Sequence, residues 1–176
     1  MLSKYLKKED CALCGFCCSF RRKSLWELPK LPLCFEDKYS RNYAGDAVCY
    51  RRFESEKGKW LITYLEDKYK TDDPEEEVIC PFLDPQSGCT LPPEDKPFEC
   101  SAWPLRYMEM PDGAKKLCVA TGCPVIGRAG TGSFDETDII QWEKMMKDHA
   151  EDNPFIIGKY EEGYEVLQIC TSTVKE

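Results

Sequence analysis

Eight residues near the N-terminus, Cys11-Ala12-Leu13-Cys14-Gly15-Phe16-Cys17-Cys18, constrain the fold more than any other part of the chain. Cys11, Cys14 and Cys17 are separated by two residues each, a spacing that lets one tight stretch of backbone aim three thiolates at a common centre, with Gly15 easing the turn. Cys17 and Cys18 are adjacent. In most backbone conformations neighbouring side chains diverge, so both would ligate one ion only with strain. The run therefore reads as a junction between two metal centres, or as one end of a single extended centre.

Twelve cysteines can mean disulfides or metal, and the compartment decides which. The stretch Met1-Leu2-Ser3-Lys4-Tyr5-Leu6-Lys7-Lys8-Glu9-Asp10 is charged and lacks the apolar region of a secretory signal, so a cytoplasmic address is expected. A reducing compartment keeps thiols free for metal. The chain has no run of about 18 apolar residues, the length needed to span a bilayer, so no membrane association is expected. A net charge of −8 disfavours nucleic acid, whose phosphates are met by clustered Lys and Arg. At 176 residues the chain fits one domain, 1–176, large enough to bury a core without cross-links.

The kind of metal is read from the spacing. A Cys-x2-Cys-x2-Cys run opens the bacterial ferredoxin pattern, whose remaining cysteine precedes proline, and this chain has Cys80-Pro81 and Cys123-Pro124. Zinc sites more often use two short Cys-x2-4-Cys pairs, and outside Cys11–Cys18 only Cys118-x4-Cys123 offers one. One or two iron–sulfur clusters, of the four-iron four-sulfur kind, are thus expected ahead of zinc. The expected ligands are Cys11, Cys14, Cys17, Cys18, Cys80, Cys89, Cys100 and Cys123. In that set Cys80, Cys89 and Cys100 join Cys18, and Cys123 completes the first centre. Of the remaining four, Cys34, Cys49, Cys118 and Cys170, the last three lie in expected strands, where a buried thiol acts as a small hydrophobe. His149 is the lone histidine. It stands near the end of an expected helix, where a partly positive imidazole suits the macrodipole, and one histidine makes no metal–histidine site.

The pattern of the rest predicts an α+β fold, a small domain of antiparallel hairpins and one main helix organised around the cysteine-ligated metal. Val48–Phe53 and Trp60–Leu65 flank the turn-rich Glu56-Lys57-Gly58-Lys59. Arg106–Met110 and Ala114–Val119 flank Pro111-Asp112-Gly113. Phe155–Ile157 and Tyr164–Cys170 frame Glu161-Glu162-Gly163 as a third hairpin. Ser133-Phe134-Asp135-Glu136 has the capping-box pattern and opens a helix through Ile139, Ile140, Trp142, Met145, Met146 and His149. Arg21-Arg22-Lys23 could offset cluster charge beside Cys18, or be a solvated face. The acidic stretch Thr71–Glu77 reads as a solvated loop.

Several spaced motifs occur in order: Cys11-x2-Cys14-Gly15-x-Cys17-Cys18, Cys80-Pro81-Phe82-Leu83 with Gly88-Cys89, Lys96-Pro97-x2-Cys100 with Trp103-Pro104-Leu105, and Cys123-Pro124-Val125-Ile126-Gly127. Over roughly residues 11 to 130 the chain resembles the CxxCxxCC cysteine-cluster family, described as zinc- or iron-chelating. It departs from that family in having Thr90-Leu91 for Ile-Tyr, Lys96-Pro97 for Arg-Pro, Cys100-Ser101 for Cys-Arg and Val125 for glycine. The thiols are intact. The roles of the missing tyrosine and arginines are put in question.

Metal ligation with electron transfer, or delivery of a cluster or metal to a redox or metal-accepting protein partner, is the function this pattern favours. Two alternatives stay open. One is a structural zinc module for protein interaction. The other is a protein-modifying enzyme, since the family includes flagellin lysine methylases. Neither Gly127-x2-Gly130-x-Gly132 nor any other run has the strand-before, helix-after context of a nucleotide or S-adenosylmethionine loop. No general acid or base stands out, so whether the chain is an enzyme is left open.

Overall fold

A computed structural model describes residues 2, 4–21, 30–31, 48–65, 77–79, 82–129 and 131–168. They form an α+β fold of helices and small sheets in two compact units, Leu2–Trp103 and Pro104–Glu176.

The unit Leu2–Trp103 begins with helix α1 (Lys8–Cys14) and a 3-10 turn (Phe16–Cys18) that runs directly into strand β1 (Ser19–Arg21). β1 pairs antiparallel with β5 (Glu77–Ile79), matching Ser19 with Ile79 and Arg21 with Glu77. The longest ladder joins β3 (Val48–Ser55) to β4 (Gly58–Leu65), and β2 (Lys30–Leu31) adds to the outer edge of β4. Glu56 and Lys57 keep negative φ while Gly58 takes φ 111°, so the glycine after the turn supplies the left-handed residue. That is the hairpin the sequence predicts, two residues tighter than the Glu56–Lys59 turn region it marked. A second, small hairpin pairs β6 (Leu83–Asp84) with β7 (Gly88–Cys89), and a short helix α2 (Phe98–Ala102) follows it. The buried apolar residues of this unit include Ala12, Phe82, Leu91 and Ala102.

The unit Pro104–Glu176 is built on the hairpin of β8 (Leu105–Glu109) and β9 (Lys115–Ala120). Its turn follows the sequence closely. Gly113 adopts φ 83°, and the Asp112 carboxylate accepts the Ala114 N–H at 2.9 Å, the local bond that makes Asp a turn residue. A short helix α3 (Pro124–Ala129) and a 3-10 turn (Thr131–Ser133) lead into the main helix α4 (Glu136–Asp152), which packs on β8 and β9. α4 buries Ile139, Trp142, Met146 and Ala150, a stripe at helical spacing that closes a core with Leu105, Leu117, Val119 and Phe155. Ile140, one residue off the stripe, is exposed.

Two expectations are corrected here. The helix starts later than the capping-box pattern implied: Asp135 is its N-cap residue, without a side-chain cap bond, because Thr131–Ser133 is already wound as a 3-10 turn. The third hairpin does not form. Residues 154–156 make a 3-10 turn, β10 (Gly158–Lys159) pairs parallel with β8, and β11 (Tyr164–Val166) pairs antiparallel with β9, giving the order β10-β8-β9-β11. The β8–β9 hairpin offers two edges of unpaired backbone groups, and the two C-terminal segments satisfy one edge each instead of each other. At the crossing, Tyr160 Oη donates to the Tyr164 carbonyl at 3.0 Å, and Thr121 N–H and Oγ1 donate to the Gly163 carbonyl at 2.9 and 3.0 Å. No helix among the described residues is long and apolar enough to cross a membrane.

Candidate metal centre

The Cys11–Cys18 run is not a loop but a helix end followed by a tight turn. Cys11 and Cys14 sit three residues apart on α1, and so share one of its faces. Gly15 then takes φ 57° and its N–H donates to the Cys11 carbonyl at 2.9 Å, which ends the helix in a left-handed cap. Cys18 N–H donates back to the Gly15 carbonyl at 2.9 Å, closing the turn that carries Cys17 and Cys18. Gly15 has the role the sequence suggested, though it works as a helix stop.

Two other elements bring thiols to this region. β7, which carries Cys89, packs against α1. Its hairpin is held at the tip by the Asp84 carboxylate, which accepts from Ser87 N–H, Ser87 Oγ and Gln86 N–H at 2.6, 2.8 and 2.9 Å. Those bonds, the Ser87 backbone bond first, hold the exposed Asp84 carboxyl below its ordinary range. The Thr90 N–H and Oγ1 both donate to the Phe82 carbonyl, at 2.8 and 3.1 Å, closing the base of the hairpin beside Cys89. Cys100 comes from α2, where Pro97 supplies the lead-in and the neighbouring Glu99 and Ala102 are buried.

The Cys17 thiol is acted on electrostatically by those of Cys18, Cys11 and Cys100. Adjacent cysteines were expected to diverge, yet the Cys17 and Cys18 thiols are hydrogen-bonded, because the 3-10 turn rotates successive side chains less far apart than an extended chain does. The bond from Cys17 lowers the Cys18 thiol to about 7 against partial desolvation, and the nearby charge of Lys96 lowers it further. The same bond, then desolvation, then the negative potential of Cys18, Cys11 and Cys100 push the Cys17 thiol far above the ordinary range. The pair releases its first proton easily and holds its second. Lys96 is the feature to which sequence reasoning gave no role. It stands four residues before Cys100, and its cationic charge acts on Cys18.

Exposure divides the thiols of this unit. Cys11, Cys14 and Cys17 are exposed, whereas Cys18, Cys89 and Cys100 are half-buried. Among the described residues, no three Cys, His, Asp or Glu side chains already converge as a cage that could hold a metal ion. Cys80 lies outside the described residues, as do Cys34 and Cys170, and so do Arg22, Lys23 and most of the acidic Thr71–Glu77 stretch. Ser19 and Ile79, which follow Cys18 and precede Cys80 in sequence, are paired in the β1–β5 ladder.

The remaining expected ligand, Cys123, belongs to the other unit, where it is 6% exposed and directly precedes Pro124, the first residue of α3. Cys118 is buried in β9, as expected of a small hydrophobe, and burial raises its thiol to about 11. Cys49 stands in strand β3 as predicted. His149 lies in the last turn of the main helix as expected, but its charge does not follow the expectation. Desolvation lowers its pKa, so the neutral imidazole is favoured, and the helix end is capped instead by Asn153, whose backbone N–H and Nδ2 donate to the His149 carbonyl at 2.9 and 3.2 Å.

Compared with models of protein families, with curated proteins and with solved structures, the chain matches none.

Proposed function

We propose that the Leu2–Trp103 unit is a cysteine-ligated metal centre that holds an iron–sulfur cluster of the four-iron four-sulfur kind. One observation carries the reading: the Cys17 thiol on the 3-10 turn is within electrostatic reach of Cys11 on α1, of its neighbour Cys18 and of Cys100 on α2. Thiolate is the ligand that such clusters require, and a thiol already lowered to about 7 gives up its proton to a metal at little cost. Cys14 on α1 and Cys89 on the adjoining β7 extend the donor set. Cys80 enters it on its sequence pattern alone. Cys123, expected to complete the centre of Cys11, Cys14 and Cys17, belongs to the other unit and stays in the donor set on sequence alone. The resemblance to the zinc- or iron-chelating cysteine-cluster family points the same way.

A bound cluster supplies one-electron chemistry, or is itself the cargo passed to a protein partner in the cytoplasm. The protein's own residues ligate it, and Lys96 offsets part of the negative charge that thiolates bring. A four-thiol group is also the donor count of a closed structural zinc site, which makes zinc the second reading. Anaerobic purification followed by iron, zinc and acid-labile sulfide analysis separates the two. The first reading requires iron and sulfide in equal amounts, absorbance near about 400 nm that bleaches on reduction, and a paramagnetic resonance signal. Zinc alone in a colourless protein establishes the second. A chain that takes up neither metal after anaerobic reconstitution overturns both.

A further inference from the structure

Cys17 and Cys18 are neighbours in sequence whose thiols are also hydrogen-bonded to each other. The backbone on both sides of the pair is tied down. Upstream, Gly15 ends α1 and its carbonyl accepts from Cys18 N–H at 2.9 Å; downstream, Ser19 enters the β1–β5 ladder opposite Ile79. The 3-10 turn Phe16–Cys18 between these two anchors therefore keeps the sulfurs in contact, where an extended chain would point them apart. Both residues also keep surface in solvent, so a small reagent reaches them.

We propose that Cys17 and Cys18 are a redox-active dithiol, which closes to a disulfide between neighbours by exchange with a small-molecule disulfide and reopens in the presence of thiols. One sulfur of the pair attacks the small disulfide, forms a mixed disulfide and expels one thiol. The neighbouring sulfur then attacks the mixed disulfide at the protein sulfur and expels the second thiol. The pair gives up two electrons and two protons, and the small disulfide takes up both and leaves as two thiols. Closure is reversible because the ring is strained. Neighbouring Cα atoms lie about 3.8 Å apart across a trans peptide, short of the roughly 4.4–6.8 Å that relaxed disulfides span. Strain makes a disulfide easier to reduce, which suits a switch and not a permanent cross-link. The inference stands without the metal centre. Where that reading also holds, the closed ring withholds two thiols from the donor set.

The test uses the full chain, reduced, freed of metal by a chelator and treated with oxidised glutathione in the absence of air. At intervals the remaining thiols are blocked with N-ethylmaleimide. Chymotrypsin, which cuts after Leu13, Phe16 and Phe20, then puts Cys11, Cys14 and the Cys17–Cys18 pair on separate peptides for mass spectrometry. The dithiol requires the peptide Cys17–Phe20 to be the first to escape labelling, lighter by two hydrogens than its reduced form. Reduced glutathione added to the folded chain should restore its labelling. A first disulfide that links Cys17 or Cys18 to any other cysteine overturns the inference, as does a Cys17–Cys18 bond that reopens only in denaturant. A second arm uses Cys17→Ser and Cys18→Ser. Each should hold a glutathionyl group on the remaining thiol at a level at least several-fold above the same peptide of the unaltered chain, because no neighbour expels it. Equal glutathionylation of the variants and the unaltered chain contradicts the proposal. Iron, zinc and sulfide contents decide the metal-centre reading separately, so either can fail alone.

Discussion

Gly15 is the residue on which the geometry of the Cys11–Cys18 run turns, and Gly15→Ala measures its contribution. Its φ of 57° lies in the left-handed region, where a Cβ costs about 1–2 kcal/mol. An added methyl would meet only Leu83 Cδ2, at 3.4 Å, the end of a flexible side chain, so sterics beyond the backbone add little. Stiffening of the unfolded chain offsets roughly 0.4–1 kcal/mol, which leaves a net loss of about 1 kcal/mol. At a urea m-value of about 2 kcal/mol/M this moves the midpoint down by about 0.5 M. The assay is urea unfolding of the reduced, metal-free chain followed by circular dichroism. Gly15→Asn should lose less, since asparagine visits this region more readily. Gly132 is the internal control, because its φ is not positive and its added Cβ would meet nothing within 4 Å. Gly132→Ala should be neutral or slightly stabilising. The reasoning is refuted if Gly15→Ala leaves the midpoint unmoved, or if Gly15→Asn lowers it further than Gly15→Ala does.

Three further outcomes follow from the structure. Trp142 is 3% exposed and meets Phe134 edge-on, with centroids 5.3 Å apart and planes at 84°. Trp142→Ala should therefore cost about 3–5 kcal/mol in urea or thermal unfolding, and a loss below about 1 kcal/mol would deny it a place in the core. In the metal-free chain, alkylation of Cys18 by iodoacetamide should rise through a pH of about 7, while Cys118, raised to about 11 and buried, stays unlabelled at neutral pH. Equal labelling of the two at pH 7.5 would contradict both assignments. His149 has a folded pKa below 6.5 through desolvation, so on acidification the unfolded state takes the proton first and stability falls as pH drops below 6.5. His149→Gln should flatten that part of the stability profile, and an unchanged slope would place the acid sensitivity elsewhere.

Local chemistry was legible where a short stretch of sequence specifies its own geometry. The Pro111-Asp112-Gly113 turn, the turn within Glu56–Lys59 and the existence of the main helix follow from residues within one element, and of the apolar positions read for that helix Ile139, Trp142 and Met146 are buried while Ile140 is exposed. The C-terminal segments were misread because β propensity says that a segment will pair but not with what. Gly158–Lys159 and Tyr164–Val166 find the two edges of an existing hairpin, and edge availability is a property of the assembled sheet. The start of α4 shifted for a related reason, since the 3-10 turn takes Ser133, the residue that would have capped the helix.

The cysteine run with which the chain is most strongly marked shows the same division. Sequence alone determined that Cys11, Cys14 and Cys17 are close along the chain and that Gly15 turns it between them, because covalent spacing and glycine's freedom are local facts. Only the tertiary structure decided that the Cys17 and Cys18 thiols are hydrogen-bonded, that Cys100 and Lys96 come to them from α2 and its lead-in, and that, among the described residues, Cys11, Cys14 and Cys17 are exposed while Cys18, Cys89 and Cys100 are half-buried. Those are relations between elements far apart in the chain, and they exist only once packing has brought the elements together.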